Sequence, residues 1–226
     1  MAGRTLAIGD IHGCDVAFLA LLRALGITSG DTVVVLGDAV DRGPGSRQVI
    51  DRLLRLQDEC RLVFILGNHE EMMLEGLEDE RVAKGWLQYG GASTLLSYGG
   101  DPRSIPPEHL DFLRSGLNYW ETDSDLFLHA NVDPTLPLEG QEIEVLRWTH
   151  LTGFESPHPS GKRIICGHTP QRSGVPLVIP GWTCIDTFVC GGGWLTCLDV
   201  ETNDYCQANL VGQLRFGRIE TDQEPE

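Results

Sequence analysis

The chain has 226 residues, with 17 Lys and Arg against 33 Asp and Glu, a net charge of −16 at pH 7. That balance opposes broad attachment to nucleic-acid phosphates or anionic lipid, and no apolar run approaches the roughly 20 residues that span a bilayer. Hydrophobic residues make up 41% of the chain, enough to fill the core of one globular α/β domain.

No charged, apolar and cleavage regions follow Met1 in succession, so a cytoplasmic protein is expected. The seven cysteines form no Cys-x-x-Cys pair, which favours free thiols over a disulfide framework. A monomer is expected.

Three units near the N-terminus share one form: a β-branched strand, a turn carrying a metal-binding side chain, then an amphipathic helix. Thr5 to Ile8 leads to Asp10, and Val16, Leu19, Leu22 and Leu25 then share a helical face that Gly26 ends. Thr32 to Leu36 leads to Asp38, and after Pro44 the residues Val49, Ile50, Leu53, Leu54 and Leu56 repeat at helical spacing. Leu62 to Leu66 leads to Asn68. These ligand positions recur at roughly the 30-residue length of a βαβ crossover, which predicts successive parallel strands.

From 71 to 118 short helical pieces are broken by Gly90-Gly91 and Gly99-Gly100, and Pro106-Pro107 opens another helix over His109, Leu110 and Leu113. This region reads as a cap, with Trp86, Tyr89, Leu95 and Leu96 expected in its core rather than as a platform for a nucleobase. Beyond Tyr119 short strands dominate: Leu126 to Leu128, Arg163 to Cys166, Trp194 to Val200 and Tyr205 to Leu210, the last two forming a hairpin around Thr202-Asn203-Asp204. A second, more antiparallel sheet is predicted. The proline-bearing stretch 131–162 reads as a surface loop, with His158 in it, like His109, solvated. The domain is expected to span 1–218, with an acidic tail at 219–226.

Five apolar runs end on a residue able to bind metal: Asp10, Asp38, Asn68, His129 and His168. Open α/β sheets gather ligands at the carboxyl ends of their strands, so these residues are predicted to share one crevice. In Asp10-Ile11-His12 the two-residue spacing turns both ligands the same way. Asp38, with two oxygens, is suited to bridge to a second ion that Asn68, His129 and His168 complete. Two divalent ions lower the pKa of bound water from about 15.7 towards roughly 7 and suit in-line displacement at phosphorus. Arg42 offers a planar fork for phosphate oxygens, and His69 is placed to protonate the leaving alkoxide with Asp41 orienting its ring. Glu70 is expected to cap its own helix.

Gly9-Asp10-Ile11-His12-Gly13, Gly37-Asp38-Ala39-Val40-Asp41-Arg42-Gly43 and Gly67-Asn68-His69-Glu70 resemble the three signature motifs of the PPP-type metallophosphoesterases. His129-Ala130 and Gly167-His168-Thr169 resemble the later ones, and the overall size is similar to the small phage and bacterial serine/threonine phosphatases. The resemblance implies an αββα sandwich with two mixed sheets flanked by helices. It implies two divalent metal ions, usually manganese and sometimes iron or zinc, held by Asp10, His12, Asp38, Asn68, His129 and His168. Arg42 would hold phosphate and the His69–Asp41 pair would act as acid. Relatives often carry Trp-x-Arg where this chain has Arg147-Trp148-Thr149-His150, so Arg147 or His150 is expected to replace the second phosphate-holding arginine.

The function expected on this basis is hydrolysis of phosphoserine or phosphothreonine in a phosphorylated protein or peptide, with phosphotyrosine compatible. The alternative is a symmetrical dinucleoside tetraphosphatase, whose C-terminal region Ile185-Asp186-Thr187 and Cys190 to Thr196 resemble equally well. The excess of acidic residues places it second. A catalytically silent scaffold predicts a missing ligand, yet all are present.

Overall fold

The computed structural model describes residues 3–220. The strands β1 (Thr5–Ile8), β2 (Thr32–Val35) and β3 (Arg61–Phe64) pair in parallel, Thr5 beside Thr32 and Thr32 beside Arg61. Parallel neighbours need crossovers, supplied by α1 (Asp15–Leu25) and α2 (Ser46–Glu59). Gly26 ends α1 in the left-handed region, as the sequence predicts.

The cap consists of α3 (Asn68–Glu78), α4 (Glu80–Trp86), a π-helical turn at Leu87–Gly91, α5 (Ala92–Ser97) and α6 (Pro107–Arg114). Next come β4 (Tyr119–Glu121), β5 (Asp125–Leu128), α7 (Ile143–Trp148), β6 (Arg163–Cys166), β7 (Leu177–Ile179) and β8 (Trp182–Cys184). The chain finishes with β9 (Leu195–Asp199), β10 (Asp204–Ala208) and β11 (Leu214–Arg218).

One sheet has the order β11-β10-β9-β1-β2-β3 and the other β4-β5-β6-β8-β7. Alternation along each strand explains how they stack. Ala7, Val34, Val63, Phe127 and Ile165 meet between the sheets. Their neighbours Ile8, Val33 and Val35 pack with the Phe18, Leu21, Ile50 and Leu53 face of the first helical layer. Leu126, Leu128, Ile164 and Cys166 pack with Leu146 of α7 on the far side. Strands buried on both faces read as continuous apolar runs, which is why their ends were so sharp in the sequence. The result is the expected αββα sandwich, two mixed sheets flanked by helices.

Several expectations change. The second sheet is parallel at its centre, with β5, β6 and β8 aligned and only β4 and β7 antiparallel. The β9–β10 hairpin joins the first sheet instead, β9 running antiparallel to β1. The buried face of α1 is Ala17, Phe18, Leu21 and Leu22, leaving Val16 and Leu19 exposed. The 131–162 stretch carries α7 and a 3₁₀ turn. His109 is buried against Tyr98 and Asp51, and His158 is buried beside Ser160. The seven cysteines are free thiols. No described helix is long and apolar enough to cross a membrane. The predicted acidic tail lies, beyond Glu220, outside the described residues.

Candidate active site

β1, β2, β3, β5, β6 and β8 deliver Asp10, Asp38, Asn68, His129, His168 and Asp186 just past their carboxyl ends, and all six are buried. Asp38 sits at the centre. Its Oδ2 lies 3.5 Å from His12 Nε2 and its Oδ1 lies 3.5 Å from His129 Nε2. The ring nitrogens facing away are committed: His12 Nδ1–H donates to the Val40 carbonyl at 3.1 Å and His129 Nδ1–H to that of Leu36 at 2.7 Å. A carbonyl only accepts, so both Nε2 atoms are left as lone-pair donors aimed at the crevice. His168 donates Nε2–H to the Trp148 carbonyl at 3.0 Å, leaving Nδ1 with its lone pair. Asn68 places Oδ1 3.1 Å from His129 Nε2.

Two groups of ligand atoms, His12–Asp38–His69 and Asp38–His129–His168, each fall within 4.8 Å of one another and share Asp38. Asp10 stands beside the second group, accepting the His168 backbone N–H at 3.2 Å on both oxygens. The donor set of carboxylate, amide oxygen and neutral imidazole, with one carboxylate common to both groups, fits two divalent ions.

The chain is held in unfavourable conformations to achieve this. His12, Asp38, Asp41, Arg42 and His168 all take left-handed φ, between 47° and 71°. For non-glycine residues that backbone costs of order 1–3 kcal/mol each and persists only where surroundings enforce it. Glu70 is one enforcer. Its buried carboxylate accepts N–H groups from Asp38 and Ala39 at 2.8 Å, Val40 at 3.3 Å and Gly67 at 3.0 Å. It therefore caps its own helix and also pins the Asp38 loop. Glycine is required at 67 and 167, where any Cβ would overlap Asp38 Oδ1 and Asp10 Oδ1 respectively.

Burial dominates the electrostatics. It drives His12 and His168 down to about 3, keeping their imidazoles neutral as metal ligation demands. Burial alone would raise Asp38, yet its carboxyl is held below the ordinary carboxylate range by the histidines around it, among which His69 is the one whose charged form is favoured. Asp10 is raised by burial and then by Asp186, which burial itself pushes up to about 6. Two crowded carboxyl groups at one end of the crevice are the electrostatic counterpart of a site built for cations.

His69 Nδ1 lies 2.7 Å from Asp41 Oδ2. Burial works against the imidazolium, yet Asp38 and the hydrogen bond to Asp41 raise the pKa of His69 above its ordinary value. Asp41 is in turn held by the cap: Trp86 Nε1–H donates to both its oxygens at 3.0 and 2.9 Å, and the Thr94 hydroxyl donates at 2.7 Å. Neither residue was singled out as part of the site from sequence. Arg42 reaches inward, with Nη1 2.7 Å from His12 Nε2. His150 stacks on His168 with centroids 4.3 Å apart. Arg147 donates to Glu71 and Asn118, both at 2.6 Å, and makes no hydrogen bond to the ligand cluster. Asp186 carried no role at the sequence level, although Cys184-Ile185-Asp186 repeats the same strand-then-carboxylate pattern.

Residues 3–172 match the model of the calcineurin-like phosphoesterases, three quarters of the chain. The chain belongs to that family. Among curated members it is 31% identical over 150 residues to the symmetrical bis(5'-nucleosyl)-tetraphosphatase of Nitrosomonas europaea, covering 63% of this chain and 52% of that protein. It is 39% identical over 220 residues to the asymmetrical bis(5'-nucleosyl)-tetraphosphatase PrpE of Anoxybacillus flavithermus, covering 84% and 88%. The chain thus spans about half the length of the Nitrosomonas relative and most of the Anoxybacillus one. A solved structure described as a candidate diadenosine tetraphosphatase superposes with a TM-score of 0.67 at 24% identity, covering 96% and 94%, which shows the shared fold.

These relatives overturn the expectation of a protein serine/threonine phosphatase acting on a phosphorylated protein partner: their names specify dinucleoside tetraphosphates, which are small molecules. The metal and phosphate motifs are the same whichever group leaves, so they carry no information on substrate. The charge argument against a polyphosphate also failed. It counted the whole surface, whereas a bound phosphate would respond to the groups within a few ångströms of it.

Proposed function

We propose that this metallophosphoesterase hydrolyses bis(5'-nucleosyl) tetraphosphates, with two divalent ions held by Asp10, His12, Asp38, Asn68, His129 and His168. The observation that carries the reading is Asp38, which offers one oxygen to each histidine nitrogen at 3.5 Å, combined with the naming of the relatives. Such ions, when bound, supply Lewis acidity toward a phosphoryl oxygen and a neutral-pH source of nucleophilic water. The mixed oxygen and imidazole donors suit manganese, which we place first, and also iron or zinc.

The remaining work falls to the protein's own residues. Arg42 binds a non-bridging phosphoryl oxygen through its fork and neutralises charge that grows as the bond breaks. His69 donates a proton to the departing phosphate oxygen while Asp41 fixes its ring. That oxygen is less basic than an alkoxide, so the acid contributes less here than in a phosphomonoester. His150 stacks on His168, one of the proposed ligands, with ring centroids 4.3 Å apart.

The relative matched over 84% of this chain and 88% of its own is asymmetrical, so cleavage is placed at an outer anhydride, water adding to give one ATP and one AMP. The test is incubation of manganese-supplied protein with diadenosine tetraphosphate and separation of nucleotides by anion exchange. ATP and AMP in equal amounts are expected, whereas ADP alone would move cleavage to the central anhydride. Faster turnover of a phosphopeptide than of the dinucleotide would overturn the substrate class.

A further inference from the structure

Arg42 faces two spaces at once. Its Nη1 lies 2.7 Å from His12 Nε2 inside the ligand cluster, and the same residue borders a cleft of about 240 Å³ on the cap side, together with Pro44, Ser93, Leu96 and Ser97. The cap fastens this wall. The Arg42 N–H donates to the Gly90 carbonyl at 3.2 Å and the Ser93 hydroxyl donates to the Arg42 carbonyl at 3.1 Å. Gly90, at φ 121°, packs so tightly that a Cβ there would meet the Arg42 backbone and Cγ within 3 Å.

We propose that this cleft is the subsite for the nucleoside attached to the phosphate that Arg42 holds. The inference rests on the tetraphosphatase reading for its choice of ligand. Three observations support it. Leu96 is 74% exposed, whereas Trp86 of the same cap is only 2% exposed. An apolar residue left open beside a charged site gives a heterocyclic base a surface from which to exclude water. Pro44 supplies a second apolar wall.

The polar groups are also polarised in one sense. Ser93 and Ser97 have both already committed their hydroxyl hydrogens, Ser93 to the Arg42 carbonyl and Ser97 to the Thr94 carbonyl at 2.6 Å. Their oxygens therefore remain as acceptors, Ser97 sharing its own with the Arg47 N–H at 3.2 Å. A cleft of apolar walls and hydroxyl acceptors recognises a ligand that brings donors, as ribose hydroxyls and the exocyclic amine of adenine do. Arg42 borders both spaces, the arrangement required by a phosphate that is joined to its nucleoside through a single phosphoester bond.

The experiment uses p-nitrophenyl phosphate turnover by the manganese-supplied full chain as reporter, with AMP and inorganic phosphate as competing inhibitors, in wild type and Leu96→Asp. The subsite predicts that the AMP inhibition constant rises about 5- to 10-fold in the variant, the loss of one apolar contact face, while that of phosphate moves less than twofold. Ser97→Phe, which fills the cleft without touching the Ser93–Arg42 hydrogen bond, gives the same split. An unchanged AMP constant in both variants, or equal weakening of AMP and phosphate, overturns the subsite. If wild type is inhibited by AMP in this cleft-dependent way but leaves diadenosine tetraphosphate intact, the tetraphosphatase reading falls and the nucleotide subsite stands.

Discussion

Trp86→Phe removes one N–H and keeps most of the ring. In the native fold that N–H lies 3.0 and 2.9 Å from the two oxygens of Asp41, a fully buried carboxylate that also accepts from Thr94 and pairs with His69. A hydrogen bond to a charged group contributes about 1.5–3 kcal/mol, and a buried carboxylate left short of a donor forfeits that stabilisation. Part of the deficit appears as reduced stability, a melting temperature lower by about 3–6 °C for a chain of this size. The rest appears where Asp41 must hold a protonated His69, and there it lowers kcat by about 10-fold, since 1.4 kcal/mol corresponds to one decade. KM should stay within twofold, because Trp86 touches no phosphate-binding group. The effect should grow as the leaving group becomes more basic, from p-nitrophenyl to phenyl phosphate, because only a poor leaving group needs the proton. A folded variant whose kcat matches wild type on phenyl phosphate would refute the claim that the cap positions the acid.

Glu70→Gln keeps shape but leaves one acceptor oxygen and an NH₂ where four backbone N–H groups converge. A loss of about 2–4 kcal/mol in urea unfolding is expected, and a change below about 0.5 would show that the Asp38 loop holds itself. For pH dependence, His109 provides the case. Burial lowers its pKa against the pull of Asp51 and Glu108, with Arg47 adding to the lowering and the Tyr98 hydroxyl on Nδ1. A lowered histidine binds its proton more readily when unfolded, so stability is present above the unfolded value of about 6.5 and declines as pH falls toward the folded pKa. His109→Gln should flatten the melting temperature between pH 7 and 5 relative to wild type; parallel curves would contradict the assignment.

Much of the site was legible because the signal is local. An apolar strand buried on both faces stops abruptly, and the residue after the stop lies at the sheet's carboxyl edge; this placed Asp10, Asp38, Asn68, His129 and His168 in one crevice. The same grammar, read once more, would have found Asp186 after Cys184-Ile185. Sheet membership was not legible, since nothing in β9 states that its partner is β1, nearly the whole chain away. Nor was the burial of His109, whose partners Tyr98 and Asp51 sit on other elements. On α1 the periodicity had two readings one residue apart, and only the packed sheet selects Ala17, Phe18, Leu21 and Leu22. Trp86 read as cap core, which it is, whereas Tyr89 and Leu96, read the same way, are 65% and 74% exposed because the short helices that carry them bury only one face. The Trp86 N–H, aimed at Asp41, is invisible to a pattern of hydrophobicity.

The central claim is that Asp38 joins two cation sites. Elemental analysis of protein loaded with manganese and then desalted, repeated for Asp38→Asn, tests it most directly. The account predicts about two ions per chain in wild type and fewer than one in the variant, because both sites lose charge together. A wild type holding a single ion, or a variant that keeps one ion tightly while losing only the other, would contradict a shared carboxylate.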